Sequence, residues 1–435
     1  MGAALKVCSS IVPTAPVAGV EGAYFGKDEG GGALQPGRVR RVWTIPARRA
    51  VLRAMDLHSR YPALADLKQR ARRRIPHFVW EYLDSATGAE TITARNRAAL
   101  DAVLFRPAAL RGEIRPDLST SLMGRDHPAP FGIAPLGMSG LIWPEAERLL
   151  ARHAGRAGIP YTLSTVATRT PEEVAGDIGD QGWFQMYPPR DPAMRDDMLR
   201  RAREAGFHTL VLTVDVPAAS RRERQTRGGL VQPPRLTPRL LAQVARCPAW
   251  AMGIQATGMP RMRLMDSYAD QTKTGPLPST AHVGYLLRAA PDWAYVRALR
   301  AAWQGPLVLK GVMEPEVAAQ GEAEGVDAIW VSNHAGRQFD GAMASLDALR
   351  EVRGATRLPV IFDSGVEGGL DVMRALALGA SFVMMGRPWH HALGALGRDG
   401  PAHWHDVLVR DMTSNMAQIG ATRLSDLPGR LAAPG

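Results

Sequence analysis

Two cysteines, Cys8 and Cys247, are all that the 435 residues contain. A disulfide framework is therefore not expected, and the chain suits a reducing compartment. No run approaches the ~18 apolar residues that a membrane-spanning helix requires. The front end lacks a charged region followed by a clean apolar one, so no secretory leader is expected and the cytoplasm is the expected location. Acidic residues are also short, 42 Asp and Glu against 53 Lys and Arg, for a formal charge of +11. Such an excess can attract nucleic acid, anionic lipid or acidic substrates. There is no zinc-finger spacing and no basic repeat interleaved with aromatics, so neither nucleic acid nor a metal is an expected partner.

What is present is ample apolar material. At 46% hydrophobic residues the chain can build one large α/β domain. Residues 1–54 stand apart: they hold eight Lys and Arg against three acids, with Gly-rich polar stretches and no periodic pattern. They read as a disordered basic extension, with residues 55–435 as the folded domain. Met55, followed by Asp-Leu-His-Ser, reads as an alternative biological start.

Beyond it, short apolar runs alternate with helical patterns. The runs are Pro130–Pro135, Ile159–Ser164, Trp183–Tyr187, Thr209–Asp215, Pro306–Gly311, Ala328–Asn333, Pro359–Ser364 and Phe382–Gly386. Each reads as a parallel strand buried on both faces. Eight such units point to a (β/α)₈ TIM barrel, with a doubly wound open sheet as the alternative. Strands four and five are too far apart, so an insertion is expected at about 218–290.

The active face of such a barrel lies at the C-terminal ends of its strands. Here those ends carry Pro135-Leu136-Gly137, Ser164, Gln185 with Tyr187, Thr213 with Asp215, Lys310, Ser332 with His334, Asp363-Ser364-Gly365, and Gly386-Arg387. A purely structural barrel has no need of Asp, Lys and His on one rim, where each must be solvated or paired.

From about Arg60 to Leu427 the chain resembles the FMN-dependent 2-hydroxy-acid dehydrogenases and oxidases. The resemblance rests on Val331-Ser-Asn-His-Ala-Gly-Arg-Gln-Phe-Asp340, Asp363-Ser-Gly365 and Met385-Gly-Arg-Pro388. Gly140-Leu-Ile-Trp-Pro144 and Gly158–Thr165 look most like the membrane-bound dehydrogenases of lactate and mandelate. The resemblance implies FMN, an L-2-hydroxy-acid substrate, a quinone or other electron acceptor, and a homo-oligomer, by family a tetramer. It makes His334 the base, paired with Asp215. Arg222, Arg337 and Tyr82 would hold the substrate carboxylate, and Tyr187 the oxygen that becomes a carbonyl. Lys310 would offset charge on the reduced flavin. Pro135, Leu136, Gly137, Ser164, Gln185, Thr213, Ser332, Asp363, Ser364, Gly365, Gly386 and Arg387 would hold the cofactor. Gly137 is the residue usual in the dehydrogenases, where the oxidases carry Ala.

Two positions depart from the family pattern. Glu367 stands where an Arg clamps the FMN phosphate, and a carboxylate repels that dianion. Ala335 replaces a Gly directly after the base, so a methyl would be strained there if φ is positive. These departures keep open a pseudoenzyme with weakened FMN binding, beside the oxidase that passes electrons to oxygen. In the insertion, Arg235–Met265 mixes arginines with Leu, Met and Trp. That composition suits an anionic membrane surface, with Trp and Met dipping into the headgroups at the inner face of the cytoplasmic membrane, or else a lid packed on the barrel.

Overall fold

The computed structural model describes residues 56–230, 237–269, 287 and 289–432. The expected extension, Met55 and Arg235 lie outside the described residues. After the helices Leu64–Arg74, His77–Asp84 and Thr91–Asp101 comes a two-stranded antiparallel hairpin, β1 (Thr120–Leu122) and β2 (Arg125–His127). Its turn residues Met123 and Gly124 both have positive φ (48° and 77°), the geometry that matches strand twist in a two-residue hairpin.

Eight parallel strands then close into a barrel. They are β3 (Phe131–Ile133), β4 (Tyr161–Ser164), β5 (Gly182–Met186), β6 (Thr209–Thr213), β7 (Leu307–Val312), β8 (Ala328–Val331), β9 (Val360–Phe362) and β10 (Phe382–Met385). Six predicted runs contain one of them, and the other two overlap theirs, with β5 starting one residue earlier at Gly182 and β7 ending one residue later at Val312. Pairing of Val383 with Phe131 joins last strand to first, which excludes the open sheet. Alternation along the strands divides the apolar residues into two sets. Trp183, Val211, Val308, Trp330, Ile361, Phe382 and Met384 fill the interior, with Leu122 of the hairpin against them. Phe184, Leu210, Leu212, Leu309, Ile329 and Phe362 face the helices. This double burial is why the strands read as continuous apolar runs.

Some helix starts are specified locally by a capping side chain, as at Thr170, Asp191, Thr237 and Asp292. Pro171–Ile178, for example, begins with a capping box in which Thr170 and Glu173 satisfy each other's backbone N–H groups. Between β6 and β7 the chain forms, among the described residues, Glu223–Gly228, Pro238–Ala245, Pro248–Thr257 and Arg263–Ala269 before the helix Trp293–Ala302 that leads into β7. Among the described residues no helix is long and apolar enough to cross a membrane.

Candidate active site

The residues after β8 take an unusual path. His334, Ala335 and Gly336 all have positive φ (56°, 51° and 76°). Neighbouring loops impose this conformation. Ser332 Oγ accepts the His334 N–H and Ser364 Oγ accepts the Ala335 N–H, each at 3.0 Å. Asn333 exchanges amide hydrogen bonds with buried Asn96, at 3.1 and 2.7 Å. A Cβ on Gly336 would fall 2.3 Å from Ile92, so only glycine fits there. The strain expected at Ala335 is therefore present, yet His334 is not displaced.

The path aims His334 at Asp215. Its Nδ1 lies 3.1 Å from each carboxylate oxygen. Burial alone would raise the Asp215 pKa, but attraction to His334 and then Lys310 outweighs it and holds the carboxyl below its ordinary value. An ionised carboxylate only accepts, so Nδ1 is the nitrogen that donates to it, which leaves Nε2 as the nitrogen that faces away from Asp215. Asp215 can sit there because Gly311, at φ 100°, has no Cβ; one would lie 2.5 Å from Asp215 Cβ.

Around this pair are cations and phenols. Arg337 is 7% exposed, and its guanidinium donates to the backbone carbonyls of Tyr82 (2.7 Å) and Leu83 (3.4 Å). Burial, then Arg222, push its pKa down to about 9, the mark of a buried cation awaiting an anion. Arg222 is held by Ser220 Oγ at 3.0 Å. Burial, then Asp215, push the Tyr187 phenol up to about 12, so it stays a donor. Tyr82 donates its hydroxyl proton to the Gly137 carbonyl at 2.8 Å, so reaching a carboxylate means giving up that bond.

On the barrel rim, Ser164 Oγ donates to Gln185 Oε1 (2.9 Å), and Gln185 Nε2 donates to Thr213 Oγ1 (3.0 Å). This chain crosses β4, β5 and β6. Lys310 is 4% exposed, donates to Ser332 Oγ at 3.0 Å and lies 3.4 Å from Asp363. Gly137 touches Val166, and a Cβ would come within 2.6 Å of its Cγ2. At the ends of β9 and β10, Ser364 and Gly365 are left-handed, and Arg387 donates to the carbonyls of Asp84 (3.1 Å) and Ala335 (3.0 Å).

One cavity of about 1570 Å³ joins these groups. That exceeds the roughly 300–1,000 Å³ of a single small-ligand site. Tyr82, Pro135, Leu136, Gly137, Gln185, Tyr187, Thr213, Arg222, Lys310, His334, Arg337, Asp363, Ser364, Gly365, Gly386 and Arg387 line it. Asp215, Ser164 and Ser332 stand one step behind, bonded to His334, Gln185 and Lys310. Among the described residues no cluster could hold a metal ion.

Sequence reasoning missed several supports. Glu147, 1% exposed, accepts the backbone N–H groups of Gly140 and Thr168 and so ties the loop after β3 to the loop after β4. Arg224 pairs with Glu81, Asp84 and Glu90, fixing Glu223–Gly228 against the helix His77–Asp84. Neither residue belongs to a motif. Glu147 gave one sequence signal, an acid among the apolar positions of the helix Ala146–Ala157; Arg224 gave none, since it sits in the charged run Arg221–Arg224.

Residues 71–433 match the family model described as FMN-dependent dehydrogenase. The chain belongs to the FMN-dependent dehydrogenases. It is 35% identical over 365 residues to an L-lactate dehydrogenase of Xanthobacter autotrophicus, covering 83% of this chain and 94% of that one. The L-lactate dehydrogenase of Caulobacter vibrioides is 37% identical over 367 residues, covering 83% and 95%. Among solved structures, the monotopic membrane protein (S)-mandelate dehydrogenase superposes with a TM-score of 0.80 at 32% identity, covering 85% and 98%. Mandelate oxidase with (S)-4-hydroxymandelic acid gives 0.73 at 33%, covering 86% and 98%. The protein is thus an FMN-dependent oxidoreductase on a TIM barrel.

The cavity fits that cofactor. Gly137 and Gly386 leave backbone bare along one wall, and the Ser164–Gln185–Thr213 chain presents amide and hydroxyl groups to a flat polar ring. Arg387 and an orphan imidazole nitrogen, His391 Nδ1, wait at the far end.

Proposed function

We propose that this enzyme oxidises an L-2-hydroxy acid, lactate- or mandelate-like, to the 2-oxo acid with His334 as its base. The observation that carries this reading is the His334–Asp215 pair set beside buried Arg337 and Tyr187 in one cavity. Arg337 and Arg222 bind the substrate carboxylate through their planar forks, and Tyr82 adds a donor when it leaves Gly137. Tyr187 hydrogen-bonds the 2-hydroxyl oxygen. His334 Nε2 takes a proton, and Asp215 stabilises the imidazolium that results. FMN, when bound, supplies the acceptor for the two electrons. Lys310, buried beside Ser332 and Asp363, supplies positive charge on the flavin side. Pro135, Leu136, Gly137, Gln185, Thr213, Asp363, Ser364, Gly365, Gly386 and Arg387 form the cofactor wall, with Ser164 and Ser332 supporting it from behind.

The barrel's relatives include a monotopic membrane enzyme, and the insertion exposes both arginines and large apolar side chains. Electron delivery to a quinone at the inner face of the cytoplasmic membrane follows as part of the same reading. So does a homo-tetramer, to be checked from its mass in solution.

His334→Gln tests the central assignment. FMN should stay bound, and flavin reduction by substrate should slow by at least the ~10²-fold typical of a lost general base. Near-normal reduction in stopped flow would remove His334 from the mechanism.

A further inference from the structure

The far end of the cavity, where β9 and β10 finish, has a charge arrangement that the family pattern does not contain. Glu367 is ion-paired with Lys68 Nζ at 2.5 Å. Lys68 rides on the helix Leu64–Arg74, which precedes the barrel in the chain. Both residues line the same cavity as Gly365, Arg387 and His391. Arg387 is pinned by two backbone carbonyls, which fix its plane and cancel none of its charge. His391 lies one turn along the helix Arg387–Leu396, is 1% exposed, and has no hydrogen-bond partner for Nδ1 among the described residues. The left-handed Gly365 adds a backbone N–H in a turn where a Cβ would be strained and would meet Asn96 at 3.0 Å. Cations and a spare imidazole nitrogen therefore line this end of the cavity, and its carboxylates are each paired, Glu367 with Lys68, and Asp84 and Glu90 with Arg224.

The pair itself has little to do with stability. Its side chains are 29% and 48% exposed, and an ion pair so open to water is worth roughly 0–1 kcal/mol. Placement explains it better. An ammonium has three donors on a flexible stem, so Lys68 can give one to Glu367 and keep two for phosphate oxygens. Without the lysine, Glu367 would repel a phosphate dianion from the cradle.

We propose that Lys68, from outside the barrel, is the second cation of the FMN phosphate site, and that Glu367 is the positioning residue that holds it there. The proposal rests on this end of the cavity taking the phosphate of the family's cofactor. The chain has moved the clamp from the β9 loop to the preceding helix, so Glu367 replaces a clamp without abolishing it.

Titration of flavin-depleted full-length protein with FMN and with riboflavin, which has no phosphate, tests this by flavin fluorescence. Lys68→Met should weaken FMN binding roughly ten- to a hundredfold, the loss of one charge-assisted contact, and leave riboflavin within about twofold. The double variant Lys68→Met/Glu367→Arg, which returns a cation from the β9 loop, should regain most of the FMN affinity. Equal loss of both flavins in Lys68→Met, or no loss of FMN, would show the ion pair to be structural only and overturn the proposal. Wild-type protein that binds neither flavin would instead overturn the flavin reading on which it stands.

Discussion

The chemistry at His334 depends on backbone that the residues themselves disfavour. Left-handed conformation costs a non-glycine residue roughly 1–2 kcal/mol, and two such residues, His334 and Ala335, stand in a row. Ser332, Ser364 and the Asn96–Asn333 pair hold them in place. His334 needs its side chain; Ala335 does not. Ala335→Gly should therefore raise the unfolding free energy by about 1 kcal/mol, because it removes the Cβ strain and keeps every backbone hydrogen bond. A urea titration checks this, and a lower midpoint than wild type would show that the methyl contributes packing that outweighs its strain. The supporting roles of Ser364 and Asn96 could not be foreseen at sequence level, since Ser364 follows β9, 29 residues from Ala335, and Asn96 lies on the helix Thr91–Asp101, 237 residues from Asn333.

At the scale of elements, the insertion between β6 and β7 has two faces. Trp250 does not point outward, as a headgroup anchor would. Its indole N–H donates to the Leu141 carbonyl at 2.9 Å and its ring meets Phe78 edge-on at 6.0 Å, so it is 5% exposed. An indole N–H is readily buried where a carbonyl is waiting. Leu264 and Met265 also turn inward. Leu241, Met252 and Met259 stay 58%, 65% and 75% exposed, Leu241 and Met259 among the residues that line the cavity, and Arg239 and Arg246 are exposed on the same segment. Changing Leu241, Met252 and Met259 together to Ser should abolish sedimentation with anionic vesicles at low salt while flavin reduction by substrate persists. Wild-type protein that never sediments with such vesicles would make the segment a lid alone. The eight barrel strands were legible because double burial leaves continuous apolar runs, and their polar ends were legible because charge on one rim has no structural use. The direction of Trp250 was not, because a short helix apolar on several sides does not tell which side meets the barrel. Lys68 and His391 were hidden for a similar reason: a lysine on an amphipathic helix and a histidine among apolar residues acquire meaning only when β9 and β10 bring them together.

The whole molecule keeps stability and chemistry apart. The barrel interior, from Trp183 and Trp330 to Phe382, is apolar, while the groups assigned roles in catalysis and cofactor binding lie on the rim and on the flanking segments that bear Lys68, Tyr82 and Arg222. That division lets the rim hold an uncompensated Arg337 and a strained turn without unfolding the core. It also makes the central claim testable on the intact protein. The visible spectrum of the FMN-loaded enzyme is recorded under argon before and after addition of L-lactate or (S)-mandelate. Flavin bands that bleach with one of these acids and not with its opposite enantiomer, and then return quickly with a quinone analogue and slowly with oxygen, are the predicted result. Protein that stays colourless after FMN is added, or flavin that stays oxidised with both acids, would contradict it.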